Sequence, residues 1–173
     1  MPILHIVRHA KSDRDIPGVG DHDRPLAARG RRAAPAMAKW MVAHGVAPEL
    51  ILVSTAVRAL ETLTAMLPAF PRRPDVVAEP SLYLAPASDL LERLRRLPAE
   101  RREVMLIGHN PGLHDLAASL AEDGPEAERD RLLDKFPTGA LATLSSSARN
   151  WGEIGPATLR LIRFIRPADI SEY

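Results

Sequence analysis

Two histidines and two arginines stand where their side chains could act on a phosphoryl group. Arg8 and His9 end one apolar run, Arg58 follows a second run, and His109 follows a third. Arginine can donate a fork of hydrogen bonds to phosphate oxygens, and imidazole can act as a nucleophile that accepts the phosphoryl group. A second imidazole can stabilise charge that grows on the equatorial oxygens. These residue types predict phosphoryl transfer through a phosphohistidine formed on one of the two imidazoles.

Short apolar runs alternate with amphipathic segments, and these elements must position the four residues. We predict strands over residues 3–7, 49–54, 76–78, 104–108, 139–145 and 157–165. We predict helices over residues 26–44, 56–67, 87–97, 112–120 and 122–135. Pro35 predicts either a kink in the first helix or a regular part that begins near residue 34. The alternation indicates an α/β fold: a single-domain, three-layer αβα sandwich with a mostly parallel central sheet and no cap domain.

The same alternation predicts that the four residues share one crevice. In an open α/β sheet, ligands bind at the carboxyl ends of the parallel strands, where these side chains stand. No aspartate or glutamate accompanies them at the strand ends, so we expect a polar, anion-binding site. Zinc is the competing interpretation of a histidine pair, but two arginines would repel a cation. We therefore predict no metal and no cofactor.

Composition limits the class of protein. With 173 residues the chain has the length of one domain, and 23 basic against 22 acidic residues exclude a protein built to coat nucleic acid or an anionic membrane. No apolar run is long enough to span a membrane, no secretory signal is apparent and cysteine is absent, so we expect a cytoplasmic protein. The basic residues comprise 20 arginines and 3 lysines, which coding bias or phosphate binding could explain.

Several of these side chains have plainer structural interpretations. His5 alternates with apolar residues on the first strand, which is typical of a buried, hydrogen-bonded structural histidine. Arg58 could form only an ion pair with Glu61 in the next helical turn. The remaining arginine clusters stand near glutamates and are expected on solvated faces. Loop or helix surfaces are expected for the other histidines: His22, His44 and His114.

The segments that carry the four residues resemble the three motifs of the histidine phosphatase superfamily. These segments are residues 4–12 (LHIVRHAKS), 54–62 (STAVRALET) and 107–112 (IGHNPG). Residues 23–26 (DRPL), 29–30 (RG) and 136–140 (FPTGA) are similar to the short SixA-like branch of phosphohistidine phosphatases. The resemblance covers nearly the whole chain, which implies one histidine phosphatase domain over residues 1–173.

The resemblance also implies an activity and roles for the site residues. It implies a metal-independent phosphatase in which His9 is the nucleophile. Arg8, Arg58 and His109 would then bind the phosphoryl group. The implied partner is a protein that carries phosphohistidine or a small phosphorylated substrate, with no nucleic acid and no membrane. The resemblance leaves open the roles of three neighbouring residues: Lys11, Ser12 and Arg24.

The chain departs from the family pattern at the proton donor. Related enzymes carry a glutamate beyond the second motif, whereas residues 81–85 (SLYLA) contain no acid, and Glu79 and Asp89 are only nearby candidates. An alcohol leaves a phosphate ester slowly unless it is protonated, whereas imidazole leaves readily at neutral pH. The absence of the acid therefore favours phosphohistidine as the substrate. A smaller departure is Ala10, which replaces the more common glycine and also occurs in the SixA-like branch.

Three other functions compete with this interpretation. A broad-specificity or small-molecule phosphomonoesterase of the same superfamily would use the same four residues. A non-catalytic phosphate-binding module would keep the pocket, although such a relic often loses its nucleophile. An arginine-rich nucleic-acid binder is disfavoured by the net charge of +1. The sequence does not indicate an oligomeric state, and we assume a monomer.

Overall fold

A seven-stranded sheet forms the centre of the protein. The computed structural model describes residues 1–14 and 16–170. The strand order is β3-β2-β4-β1-β6-β7-β5, with parallel pairing everywhere except between β1 and β6 and between β6 and β7. The strands are β1 (Ile3–Arg8), β2 (Leu50–Ser54), β3 (Asp75–Glu79), β4 (Glu103–Gly108), β5 (Ala121–Asp123), β6 (Leu141–Ser146) and β7 (Leu159–Ile165). The predicted mostly parallel sheet is confirmed.

Helices cover both faces of the sheet and complete three layers. They are α1 (Ala28–Ala43), α2 (Val57–Met66), α3 (Ala87–Arg95), α4 (Gly112–Leu120) and α5 (Glu126–Asp134). Alternation along β1 directs Leu4 and Ile6 to one core with α3, α4 and α5, and Val7 to the other core with α1 and α2. The αβα sandwich is therefore confirmed. None of the helices in the described part of the chain is long and apolar enough to cross a membrane.

Sheet order brings the carboxyl ends of β1, β2 and β4 together. In β1, Arg8 pairs in register with Gly108 of β4, and β2 lies on the other side of β4. The residues that follow these strands therefore emerge at one edge of the sheet. Arg58 reaches the same edge from the first turn of α2.

Gly30 allows α1 to approach the segment that follows β1. A Cβ atom added at Gly30 would lie 2.1 Å from the backbone oxygen of Lys11, which is closer than a carbon atom can approach. A glycine at this position therefore fixes the separation between α1 and the backbone two residues beyond His9.

Two predicted helices differ from the observed elements. The helix predicted over 122–135 is wrong in its first part, because Ala121–Asp123 forms an edge strand beside β7 and α5 begins at Glu126. In α1 the helix runs from Ala28 to Ala43 with Pro35 inside it, so the alternative start near residue 34 is wrong.

Candidate active site

His9 presents one ring nitrogen to a neighbouring arginine. Its side chain is buried, and Nδ1 lies 2.7 Å from the backbone oxygen of Ala10. A carbonyl oxygen can only accept, so Nδ1 carries the proton and donates it to this oxygen. Nε2 therefore keeps its lone pair, and the Nε–H of Arg58 donates to it over 3.3 Å. This tautomer is the one that a nucleophilic histidine needs.

Burial also keeps the imidazole of His9 neutral. Loss of water around the ring lowers the pKa of His9 to about 3, and the positive charges of Arg58 and Arg8 act in the same direction. Burial, with the charge of Arg58, lowers the pKa of His109 to about 4. Both imidazoles are neutral near pH 7, so Nε2 of His9 keeps the lone pair that nucleophilic attack requires.

His109 lies beside His9, with the two ring centroids 5.2 Å apart. Nε2 of His109 lies 2.7 Å from the hydroxyl oxygen of Ser54, which already accepts a hydrogen bond of 3.2 Å from the backbone N–H of Ala56. The hydroxyl hydrogen is therefore free to donate to Nε2 of His109. In this arrangement Nδ1 of His109 carries a proton and is a donor.

Two buried donors in the site have no acceptor. Arg8 donates from Nη1 to the backbone oxygen of Phe136 over 3.0 Å. Within residues 1–14 and 16–170, no partner is found for Nε of Arg8, for Nδ1 of His109 or for Oδ1 of Asn110. Buried polar atoms are nearly always hydrogen-bonded in folded proteins. Arg8 and His109, which carry the two unpaired donors, both line one cavity, and such donors match the needs of a bound oxyanion.

That cavity has a volume of about 250 Å³ and is rich in cations. Burial lowers the pKa of Arg8, and repulsion from Arg14 and Arg58 lowers it further. An anion placed among these guanidinium groups would relieve the repulsion. All four predicted site residues line the cavity, as do the three residues whose roles the sequence left open. The lining comprises Arg8, His9, Lys11, Ser12, Arg14, Asp21, Arg24, Arg58, Leu84, His109, Asn110 and Thr138.

Asp21 places a carboxylate in the site that the sequence did not indicate, because it comes from a loop and not from a strand end. It lies in a turn of 3-10 helix over Asp21–Asp23, within the polar loop that follows β1. Nη1 of Arg58 donates to the backbone oxygen of Asp21 over 2.5 Å, and Nη2 donates to Oδ2 over 3.1 Å. The predicted alternative partner of Arg58, Glu61, instead accepts from the backbone N–H of Leu26 at 2.6 Å.

Two further side chains hold the Asp21 carboxylate. The hydroxyl of Tyr83 donates to Oδ2, and Nη2 of Arg24 donates to Oδ1 over 2.7 Å. The hydrogen bond from Tyr83, followed by those from Arg24 and Arg58, holds the pKa of Asp21 well below its ordinary value. Tyr83 also packs its ring edge-on against His109, with centroids 5.4 Å apart. Asp21 is therefore an ionised bridge between the loop and the site and a poor proton donor.

The two acids considered from the sequence do not line the cavity. Glu79 is bound by Arg93, whose Nη2 donates to Oε1 over 2.6 Å. Asp89 is exposed on α3 and accepts from the hydroxyl of Ser88. Among the described residues, no group of three His, Asp or Glu side chains has the arrangement of a metal site.

The remaining histidines lie outside the cavity. His5 is buried on β1, where its ring nitrogens bond to the hydroxyl of Thr143 at 3.0 Å and to Glu103 at 2.9 Å. The structural role predicted for His5 is confirmed. His22 lies in the 3-10 turn, and His44 lies at the exposed end of α1. His114 lies on the surface of α4 that faces Leu132.

The two lowered histidine pKa values predict that the protein loses stability as the pH falls. Unfolded histidines take up protons near pH 6.5, whereas folded His109 and His9 do so near pH 4 and pH 3. Below pH 6.5 the unfolded state binds more protons, so the free energy of unfolding decreases. We expect each histidine to contribute a loss of about 1–2 kcal/mol between pH 7 and pH 5.

Urea denaturation of the wild type and of His9→Gln at both pH values measures this effect. The variant lacks one of the two protonation sites and should lose less stability than the wild type over the same interval. Equal losses in the two proteins would contradict a neutral, buried His9.

Comparison with known proteins identifies the family of the chain. The sequence model of the histidine phosphatase superfamily (branch 1) matches residues 4–82. An uncharacterized protein of Mycobacterium tuberculosis is 36% identical over 163 residues, which cover 93% of this chain and 99% of that protein. An uncharacterized chloroplastic protein of Arabidopsis thaliana is 33% identical over 178 residues, with 95% of this chain and 77% of that protein covered.

Solved structures extend the similarity to the fold. A protein from Agrobacterium tumefaciens, provisionally named phosphohistidine phosphatase SixA, is 32% identical, with a TM-score of 0.80 over 96% of this chain and 99% of that chain. A protein of the same provisional name from Nakamurella multipartitia is 28% identical, with a TM-score of 0.83 over 96% of both chains. Sequence and fold together show that the chain is a phosphatase that belongs to the histidine phosphatase superfamily, in its SixA-like branch.

Proposed function

We propose that residues 1–173 form one metal-independent phosphatase domain that removes the phosphoryl group from phosphohistidine on a protein. His9 carries the phosphoryl group in a covalent intermediate, and Arg8, Arg58 and His109 bind it. One observation carries the proposal: His9 is neutral and holds the lone pair of Nε2 toward Arg58, inside a cavity lined with cations.

In the first step, Nε2 of His9 attacks the phosphorus atom of the substrate. The substrate ring first takes a proton from solvent on its other nitrogen, and a new P–N bond then forms on His9 as the P–N bond of the substrate breaks and neutral imidazole leaves. Arg8, Arg58 and Nδ1–H of His109 donate to the phosphoryl oxygens, whose charge they stabilise. Because His9 and His109 are neutral before the step, the positive charge that attracts the phosphoryl group comes from the arginines and from Lys11.

In the second step, water attacks the phosphorus atom of phosphorylated His9. The P–N bond on His9 breaks, its electron pair returns to Nε2, and inorganic phosphate leaves after the attacking water loses a proton to solvent. The hydrogen bond from Nδ1 to the backbone oxygen of Ala10 keeps the same tautomer through both steps.

The state of Asp21 supports a nitrogen leaving group. Its carboxylate is held ionised by Tyr83, Arg24 and Arg58, and among the described residues it is the acid that lines the cavity. A positioned general acid contributes about 10²- to 10⁴-fold when the leaving group is an alkoxide. Imidazole, with a conjugate-acid pKa of about 6.5, leaves without such assistance. The site therefore favours a phosphoramidate over a phosphate ester.

The rim of the cavity supports a protein substrate. Lys11, Arg14 and Leu84 line the cavity and are exposed at the surface, while His9 and His109 are buried beneath them. A histidine side chain presented on another protein could enter this opening without a cap that must first close.

Competition between matched peptides tests the substrate class. We expect a phosphohistidine peptide to be hydrolysed with a kcat/KM about 100-fold or more above that of the same peptide with phosphoserine, because serine requires the missing acid. Phosphate release measured with and without a metal chelator supplies the readout. A phosphoserine peptide hydrolysed as fast as the phosphohistidine peptide would overturn the substrate assignment, and loss of activity with the chelator would overturn metal independence.

A further inference from the structure

A second cavity adjoins the phosphoryl pocket. Its volume is about 390 Å³, and it shares Lys11 and Thr138 with the pocket around His9. Its other walls come from α1, from the segment between α5 and β6, and from the turn that follows β7. A ligand that extends from the phosphoryl pocket along this wall would enter the second cavity directly. We call this cavity the basic cleft.

The basic cleft carries an excess of positive charge. Four of its nine described lining residues are cations, namely Lys11, Arg29, Lys135 and Arg166, and none is an acid. Arg166 is paired with Asp169, which does not line the cleft. Within residues 1–14 and 16–170, the side chains of Lys11 and Lys135 form no ion pair or hydrogen bond, and both are exposed. These two lysines are therefore free to bind an anionic ligand.

Lysine is scarce in this protein, and its placement is uneven. The chain contains three lysines against 20 arginines, and two of the three line the basic cleft. The third, Lys39, is exposed on α1 and lines none of the cavities around the site. Coding bias toward arginine does not explain why two lysines converge on one cavity.

The backbone holds the basic cleft in a fixed relation to His9. The N–H of Gly139, next to the cleft residue Thr138, donates to the backbone oxygens of Arg8 and His9 over 3.0 and 3.1 Å. On the opposite wall, the close contact of Gly30 with the oxygen of Lys11 fixes α1. The charges of the cleft therefore lie at a fixed distance from His9. A fixed distance is needed if the cleft is to recognise residues at a set spacing from the phosphohistidine of a substrate.

We propose that the basic cleft binds an acidic segment of the substrate protein that flanks its phosphohistidine. This inference rests on the proposed function and names the determinant of its specificity. The exposed cations attract carboxylates, and the apolar wall of Pro137, Pro167 and Ala168 accommodates an extended backbone between them. No aromatic side chain is among the described residues of the lining on which a nucleobase could stack, which favours a peptide over a nucleic acid.

Lys135→Glu tests the proposal, because Lys135 lines the cleft but not the phosphoryl pocket. Two phosphohistidine peptides are compared, one with glutamates on the flanks and one with serines. We expect the wild type to prefer the acidic peptide about tenfold in kcat/KM, mainly through KM, and 0.5 M NaCl should remove the preference. Lys135→Glu should abolish the preference and leave the rate on free phosphohistidine unchanged.

Lys39→Glu is the matched control, since it makes the same charge change at an exposed lysine outside the cleft. It should keep the preference of the wild type. Equal hydrolysis of both peptides by the wild type, or the same loss in Lys39→Glu, would overturn the proposal while the phosphatase activity stands. Failure to hydrolyse any phosphohistidine compound would instead overturn the proposed function. In that case, fluorescence anisotropy with the unphosphorylated acidic peptide tests the basic cleft alone. Weaker binding to Lys135→Glu than to the wild type would support the proposed binding of acidic segments, and equal binding would overturn it.

Discussion

Alanine in place of His9 is expected to lower phosphohistidine hydrolysis by about 10⁴-fold or more, because no other group can carry the phosphoryl intermediate. The side chain is buried and its Nε2 faces Arg58, so a neighbouring imidazole cannot occupy the same position. His109 lies 5.2 Å away, ring to ring, and its Nε2 is engaged by Ser54. Loss of His9 therefore prevents the transfer of the phosphoryl group to the protein, which is the first step of the reaction.

The covalent intermediate provides a readout independent of the rate. A ³²P-labelled phosphohistidine peptide, quenched during turnover, should leave label on the wild-type protein that is stable to alkali and labile to acid. His9→Ala should carry no label. His44→Ala, a change at an exposed histidine outside the cavity, should behave as the wild type. Label on His9→Ala, or full turnover by the wild type without any labelled protein, would exclude His9 as the nucleophile.

The second large effect is expected at Arg58. Its guanidinium uses all three nitrogens within the site, toward Nε2 of His9 and toward both the backbone and the carboxylate of Asp21. Arg58→Lys keeps the charge but loses the fork of donors, so we expect kcat/KM to fall about 100-fold. Arg58→Ala also removes the charge and should cost about 1,000-fold.

Arg93→Lys supplies the control for Arg58, since Arg93 also binds a carboxylate, that of Glu79, but lies outside the cavity. This variant should keep wild-type kinetics. Thermal denaturation of the three variants separates loss of fold from loss of binding. Wild-type kcat/KM in a folded Arg58→Lys would show that the forked geometry is not needed.

Strand exits explain why the sequence predicted the principal site residues. His9 and His109 directly follow buried apolar runs, and such runs become parallel strands whose carboxyl ends share one edge of the sheet. Arg58 is placed by the helix that begins after β2. For these residues, position in the chain determines position in the fold, because regular elements have fixed geometry.

Asp21 and Tyr83 were missed because neither stands at the end of a regular element. Asp21 lies in a polar loop without periodicity, and its place depends on hydrogen bonds to Arg24 and Arg58 that no pattern of the sequence indicates. The segment that is similar to the SixA-like branch begins at residue 23, two residues after Asp21. Residues 81–85 contain no carboxylate, and their contribution to the site is the hydroxyl of Tyr83.

The helix predicted over residues 122–135 was wrong at the edge strand β5 for a different reason. Ala121–Asp123 has a polar sequence next to a charged helix, and local propensity favours extending that helix. Pairing with Leu159 and Arg160 of β7 decides the conformation instead. Tertiary hydrogen bonds commonly override weak local preferences at a sheet edge.

The contact between Asp21 and Arg58 means that an anion binding to Arg58 meets a guanidinium that already has an anionic partner, so binding there involves an exchange of partners. The guanidinium is already paired with an intramolecular carboxylate, so an anion that binds it takes the place of Asp21 or adds its charge beside it. A monovalent carboxylate from solution gains little from this exchange, whereas a doubly charged phosphoryl group adds charge among Arg8, Arg14 and Arg58. On charge alone, the site therefore favours a doubly charged phosphoryl group over a monovalent carboxylate.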